Sequence, residues 1–190
     1  MIEINNNWRF FELKELFTIE RSKNVTIEDA KDFIGYTIPY ITRTENDNGT
    51  NFFISDDGEF PLEKGNCITI GGEGAQIFYQ PIDFITGNNI TKLYNIHLNE
   101  NIALFIVSVL RLEKFRYSYN RPFNQDFIKK TKIKLPALIR EGNIIPDWDY
   151  MDKYIRELRE RERERELWNF SILVKVKTFM VNVWNGIVSS

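Results

Sequence analysis

The chain has one cysteine and one histidine in 190 residues. Cys67 alone cannot close an intrachain disulfide, and one thiol with one imidazole cannot complete a multi-thiolate or ordinary zinc site. His97 alone leaves almost no nucleophile–base pair to assemble. The loops of cofactor chemistry are missing as well. There is no G-x-G-x-x-G fingerprint, no GK[ST] phosphate loop, no glycine-rich loop for S-adenosylmethionine and no Asn-Pro-Pro-aromatic motif. No D…(D/E)-x-K set stands in a strand–turn context. These absences argue against an enzyme acting alone and against any cofactor or metal held by this chain. The opening MIEINNNWRFF has no basic flank followed by an apolar run, so no signal peptide is expected. The cytoplasm is the default compartment, and no membrane partner is expected.

What is present is organised around Lys132–Glu166, KIKLPALIREGNIIPDWDYMDKYIRELRERERERE. Pro146 fixes its own φ and disfavours helix just before it, so the chain is extended there. Asp147 is placed to cap a helix starting near Trp148, with Asp149 and Asp152 complementing its positive end. From Met151 to Glu166 there is neither Gly nor Pro, and nearly every residue favours helix. In the alternating Arg/Glu run, i,i+4 neighbours repel and i,i+3 neighbours attract, so pairing within the helix is at best neutral. Beyond it Leu173, Val176, Met180, Val183 and Ile187 form an a/d seam. The β-branched run Ile172–Val176 could also be a strand, although helix is the preferred reading. That stripe has little left in its own domain to cover it, and self-association is the simplest remedy.

Ahead of this stretch the sequence reads as one α+β domain of short, irregular strands, without repeats. Trp8–Ile19 is a strand entering a short helical turn, and Glu28–Phe33 is another turn of helix. Ile38–Thr44, Phe52–Ser55, Asn66–Ile70, Gln76–Gln80 and Lys92–Leu98 read as strands between Gly, Asp, Asn and Pro punctuation. Asn99 caps an amphipathic helix to about Leu112, whose Ile102, Phe105, Ile106, Val109 and Leu112 would pack on the sheet. Ile128–Leu135 is a strand ended by Leu135-Pro136. Gly71-Gly-Glu-Gly74 lacks phosphate-loop spacing and is better read as a hairpin turn. The expected organisation is a domain over 1–146 and a helical spacer or dimerisation region over 147–190.

Formal net charge is −2, but its distribution is uneven. Between Val109 and Arg140 stand nine Lys or Arg, among them Arg121, Lys129 and Lys130, against two acids. Local fields decide binding, so this segment is a candidate nucleic-acid surface. Tyr117, Tyr119 and Arg121 lie inside it; aromatics beside Arg suit bases and phosphates together. For the two tyrosines a core-anchored aromatic loop is an equal reading. Arg43 and Thr44, with Asn46 and Asn48, place base-reading side chains on one strand–turn element. An ordinary polar hairpin explains the same composition.

The order of segments carries a resemblance. It comprises Trp8-x-Phe10…Leu13-x-Glu-Leu-Phe17, Ile38-Pro-Tyr-Ile-Thr-Arg-Thr44 ending in Asn48-Gly49, and Cys67-Ile-Thr-Ile-Gly71 with Phe78-Tyr79-Gln80. Gly87-Asn-Asn89, Phe115-Arg-Tyr-Ser-Tyr-Asn-Arg121, Lys132-Ile-Lys-Leu-Pro136 and Pro146-Asp-Trp-Asp-Tyr-Met151 complete it. Over residues 8 to about 158 the chain resembles a target-recognition domain of type I restriction–modification DNA specificity subunits and their type II relatives. The resemblance implies a domain that reads a half-site in double-stranded DNA, followed by a long helix that packs against a second such helix. It also implies a methyltransferase subunit that docks on it and brings S-adenosylmethionine, with a restriction subunit as a further partner. Arg43, Thr44, Asn46, Asn48, Tyr117, Tyr119 and Arg121 match its motifs as candidate DNA contacts.

The usual specificity subunit is about twice as long and carries two such domains, where this sequence shows one. A half-subunit would restore the arrangement as a homodimer reading a palindromic, interrupted site; a truncated gene product is the alternative. A helix of about 40 residues from Trp148 would be ~60 Å long, enough to separate half-sites by one to nearly two DNA turns of ~34 Å. The rival expectation is a protein-interaction adaptor that uses the Arg/Glu helix without touching DNA.

Overall fold

In the computed structural model, residues 7–55, 58–72, 76–114 and 125–188 are described, without the side chains of 169, 173, 176 and 179–188. Strand β1 (Trp8–Glu12) runs straight into helix α1 (Leu13–Leu16), as the change of apolar spacing predicts. There follow β2 (Thr18–Arg21), α2 (Ile27–Lys31), β3 (Ile34–Ile41) and, after a 3₁₀ turn at Asp47–Gly49, β4 (Thr50–Ile54). Next come β5 (Cys67–Gly71), β6 (Ile77–Gln80), β7 (Ile85–Thr86), β8 (Ile90–Tyr94) and α3 (Glu100–Leu112). The chain closes with α4 (Gln125–Lys130), β9 (Lys132–Arg140), β10 (Asn143–Pro146) and α5 (Trp148–Val188).

Among the described residues the strands form three small sheets, ordered β1-β9-β10, β2-β8-β5-β6 and β4-β3-β7. The central four-stranded sheet is antiparallel, with Ile68 opposite both Leu93 and Tyr79. Helix α3 covers one of its faces. Ile68, Ile70 and Leu93 meet Ile102, Phe105, Ile106 and Leu110 there, joined by Leu13 and Leu16 of α1 and Met151 of α5. Each such side chain contributes roughly 1.5–3 kcal/mol on burial. A second cluster (Val25, Ala30, Tyr40, Ile54, Ile85) fills the space under β3, and Ile41, Cys67 and Phe84 form a third.

Between the central sheet and the β7 segment sits a buried ion pair. Lys92 Nζ meets Glu63 at 2.5 Å and Glu20 at 3.3 Å. The same Glu63 carboxylate accepts the Lys23 backbone N–H, and Glu63 pairs by backbone with Phe84. Buried charges are tolerated when paired and hydrogen-bonded in this way.

Four expectations are corrected. The segment before Lys132 is not strand but α4, in which Ile128 alone is fully buried, Lys129 is half-buried and Lys130 is exposed, with no alternation of faces. Pro136 does not end β9. It occupies the last rung against β1, opposite Trp8, and from Ala137 onward the strand pairs with β10 instead. A proline at this change of partner breaks no ladder that the strand needs. Leu112 is 72% exposed, since α3 has by then run past the sheet. Strand β8 stops at Tyr94, and Asn95 folds the chain into a turn by accepting the His97 N–H at 2.6 Å. The cap at Asn99 is as expected, with Oδ1 accepting the Ile102 N–H at 2.9 Å.

Candidate nucleic-acid interface

The turn that carries Arg43, Thr44, Asn46 and Asn48 folds against the free edge of β6. The Thr42 N–H bonds the Gly49 carbonyl at 2.8 Å and the Gly49 N–H bonds Asn46 at 2.9 Å, closing the loop. Gly49 has φ +84, and a Cβ there would stand 3.2 Å from the Phe78 ring, so the turn approaches β6 as closely as glycine allows. Asn48 adopts φ 57, ψ 30, a left-handed conformation that Asn accepts more readily than most residues. Its Nδ2 donates to the Tyr79 carbonyl at 2.7 Å. Its own carbonyl accepts Gln80 Nε2 at 3.0 Å, and that amide also donates to Thr69 Oγ1 at 3.1 Å.

Arg111, from the last turn of α3, completes this edge. Its Nε and Nη2 donate to the Ile77 carbonyl at 3.2 and 2.9 Å, and its guanidinium lies 5.1 Å from the Phe78 ring centre. The Ile77 and Tyr79 carbonyls of an edge strand are thus both occupied by side chains, which blocks strand addition there. Lys114 pairs with Glu45 at 2.5 Å and holds its carboxyl below the ordinary range by hydrogen bond and charge. Between turn and helix lies an open cleft of about 250 Å³ lined by Glu45, Gln76, Phe78, Arg111 and Lys114.

The predicted residues fall into separate groups. Arg43 and Thr44 are half-buried and Asn46 is exposed. The Arg43 stem lies over Gly71, where an added Cβ would meet Cγ at 3.2 Å. Lys129 and Lys130 stand on α4, which packs on α1 and β2 and is tied to β2 by Gln125 Nε2 on the Ile19 carbonyl at 3.3 Å. Because β2 and β6 are opposite edges of the central sheet, these lysines lie a sheet's width from the Arg43–Asn48 turn. Tyr117, Tyr119 and Arg121 lie outside the described residues. Sequence reading missed Arg111, Lys114 and Glu45 as parts of the turn's surroundings. The cue available was a basic residue in the last turn of an otherwise apolar helix.

The other candidate feature is the long helix α5, a rod. Asp147 Oδ1 accepts the Tyr150 N–H at 3.0 Å, which caps α5 where the sequence places the cap. The first turns of α5 complete the core through Met151, with Tyr150, Tyr154 and Ile155 packed beside it. After Leu158 every described side chain is exposed, including Leu167, Trp168 and Phe170 at 64–67%. At 1.5 Å per residue the part from Glu160 to Val188 is roughly 40 Å long. Glu162–Arg165 is an i,i+3 pair at 3.6 Å, as the alternating charges allow. Among the described residues no helix is long and apolar enough to cross a membrane, and no cluster of three His, Cys, Asp or Glu could hold a metal.

Comparison with known proteins places this arrangement. A family model described as the type I restriction modification DNA specificity domain matches residues 5–167. The specificity subunit S.BcgI of a type II restriction enzyme from Heyndrickxia coagulans is 33% identical over 151 residues, covering 78% of this chain and 42% of that protein. The crystal structure of a type I restriction-modification S subunit from M. genitalium superposes with a TM-score of 0.57 at 14% identity, over 88% of this chain and 44% of the other. The HsdS subunit from Thermoanaerobacter tengcongensis gives 0.54 at 13% identity, over 84% and 39%. At such identity the two structures speak for the fold: a mixed α+β domain of short strands followed by a long helix. The chain spans less than half the length of each of these relatives.

Proposed function

Because the chain belongs to the type I restriction–modification DNA specificity family, we propose that it is the sequence-reading component of a restriction–modification system. It is itself non-catalytic, reads one half-site of a bipartite duplex and docks a methyltransferase subunit, which supplies S-adenosylmethionine. A restriction subunit joins the same assembly. Residues 1–146 are the reader and 147–190 the spacer that brings a second copy into register.

The observation that carries this reading is the rod. Its first turns are built into the core, while its outer length is exposed and bears large apolar side chains at Leu167, Trp168 and Phe170. Exposed apolar side chains of that size are covered most economically by a second helix; the seam Leu173, Val176, Met180, Val183 and Ile187 lies outside the described side chains. A two-fold pair of such rods holds two readers apart, matching a palindromic, interrupted site.

The test is a mobility shift on randomised duplexes, with the mass of the assembly measured with and without a co-expressed methyltransferase subunit. Selective retention of a two-part sequence by a dimer-containing assembly is the expected result. A chain that stays single and ignores all duplexes, even beside its methylating partner, overturns the reading. Arg121→Ala is expected to flatten the dependence of log K on log salt by about one unit if Arg121 meets a phosphate. Shortening the rod is expected to change the preferred gap and leave each half-site sequence intact.

A further inference from the structure

A closed set of polar contacts ties the base of α5 to the N-terminus of α3. Asp152 Oδ1 accepts from Asn99 Nδ2 at 3.0 Å and from Asn101 Nδ2 at 2.9 Å. Its other oxygen takes Arg156 of its own helix at 2.5 Å. Two turns further along, Arg159 donates to Asn101 Oδ1 at 3.1 Å and to Glu100 at 2.5 Å. Asn101 therefore bridges Asp152 and Arg159, while Asn99 also caps α3 through the Ile102 N–H. Helix α3 is fixed in turn by the buried Ile102, Phe105, Ile106 and Leu110.

Beside this clasp runs an open groove of about 580 Å³, lined by Leu104 of α3 and by Ile155, Leu158, Arg159 and Glu162 of α5 among others. Apolar contacts are non-directional and let one helix roll on the other. Hydrogen bonds through one carboxylate oxygen do not, because they require both distance and angle. The packing of Met151, Tyr154 and Ile155 seats the base of the rod, and the clasp adds a distance and an angle that its direction must satisfy.

We infer that Asp152 is a positioning residue for the gap between half-sites: it locks the angle at which the rod leaves the reader, so that rotational phase is selected together with length. The inference rests on the half-site reading above. One extra base pair turns the second half-site by about 35° and shifts it by about 3.4 Å. A locked junction rejects that change, whereas a rolling one absorbs it.

The experiment has two arms on the full chain. In the first, spin labels at Lys31→Cys and Ser171→Cys, diluted with unlabelled chain, report the distance distribution between domain and rod; Cys67 is fully buried and takes no label. Asp152→Ala and Asn101→Ala are each expected to widen that distribution about twofold. Asp152→Asn retains an Oδ1 able to accept both amides and is expected to keep the native width. In the second arm, with the methyltransferase partner, duplexes of randomised gap are selected. The native chain and Asp152→Asn are expected to keep one gap, while Asp152→Ala and Asn101→Ala admit its neighbours with unchanged half-site sequence. Helicity and melting temperature verify folding. Should Asp152→Ala not fold, Asn101→Ala carries the test. Unchanged widths and gaps in the alanine variants overturn the inference, and so does equal widening by Asp152→Asn and Asp152→Ala. The distance arm needs no DNA, so a native chain that binds no duplex defeats the half-site reading and leaves the clasp to be judged on its own.

Discussion

Asn48 donates its side-chain amide to the Tyr79 carbonyl at 2.7 Å while sitting at φ 57. The residue thereby fastens a surface turn to an edge strand with the group that could otherwise read a base. Replacing it by glycine keeps the backbone accessible and deletes the bond, at an expected cost of about 1 kcal/mol. Alanine adds left-handed strain of roughly another 1 kcal/mol. Chemical denaturation of the two variants measures both. If Asn48 acts by holding the turn, Asn48→Gly weakens binding to all duplexes alike. A changed preference at one base pair would instead make it a direct reader.

The Lys92–Glu63 pair yields a prediction of the opposite kind, remote from any surface. Both side chains are at most 5% exposed, so removing one charge strands the other. Lys92→Met is expected to destabilise the fold by about 3–5 kcal/mol. The double change Lys92→Met/Glu63→Leu recovers part of that loss, because no buried charge is then left unpaired and Glu20, half-exposed, keeps its water. Additivity of the two single effects, read by denaturant unfolding, would contradict the coupling.

How much of this was legible beforehand follows from which forces act locally. The Asn99 and Asp147 caps, the β1-to-α1 switch and the α5 rod are written in short-range patterns, and each stands where the residues place it. The residues alone end β9 at Pro136, because sequence cannot show that the strand changes partners there, from β1 to β10. The pairing of Lys92 with Glu63 and the reach of Arg111 to Ile77 span 29 and 34 positions in the chain. Neither residue type advertises such a partner. The basic character of 109–140 is plain in the residues, but only the fold separates Arg111 and Lys114 at one sheet edge from Lys129 and Lys130 at the other.

Cys67 offers a simple probe of global opening. Its side chain is fully buried, and burial pushes the thiol up to about 12. Thiolate is the reactive form, so the folded chain is expected to resist thiol reagents at pH 8. Labelling then proceeds only through opening of the β5 region, and its rate should track denaturant stability across variants such as Lys92→Met. Rapid labelling of the native chain, with no dependence on stability, would show that the Ile41–Cys67–Phe84 cluster opens locally.

The junction of reader and rod should be sensitive to acid. The Asp152 carboxyl is held below its ordinary value of 3.8, first by the Asn101 amide and then by Asn99 and Arg156. Glu100 is lowered from 4.5 chiefly by its bond to Arg159. A carboxyl with a depressed folded pKa binds fewer protons than its unfolded counterpart, so it adds stability above the unfolded value and loses it as pH falls through the folded one. Both contributions are therefore complete at neutral pH, begin to decline near the unfolded values of about 4, and are gone only below the lowered folded ones. Thermal melts between pH 7 and pH 3 are expected to show a steeper fall for the native chain than for Asn101→Ala, in which Asp152 has lost its first partner. Parallel curves would mean that the Asn101 amide does not hold the Asp152 carboxyl down.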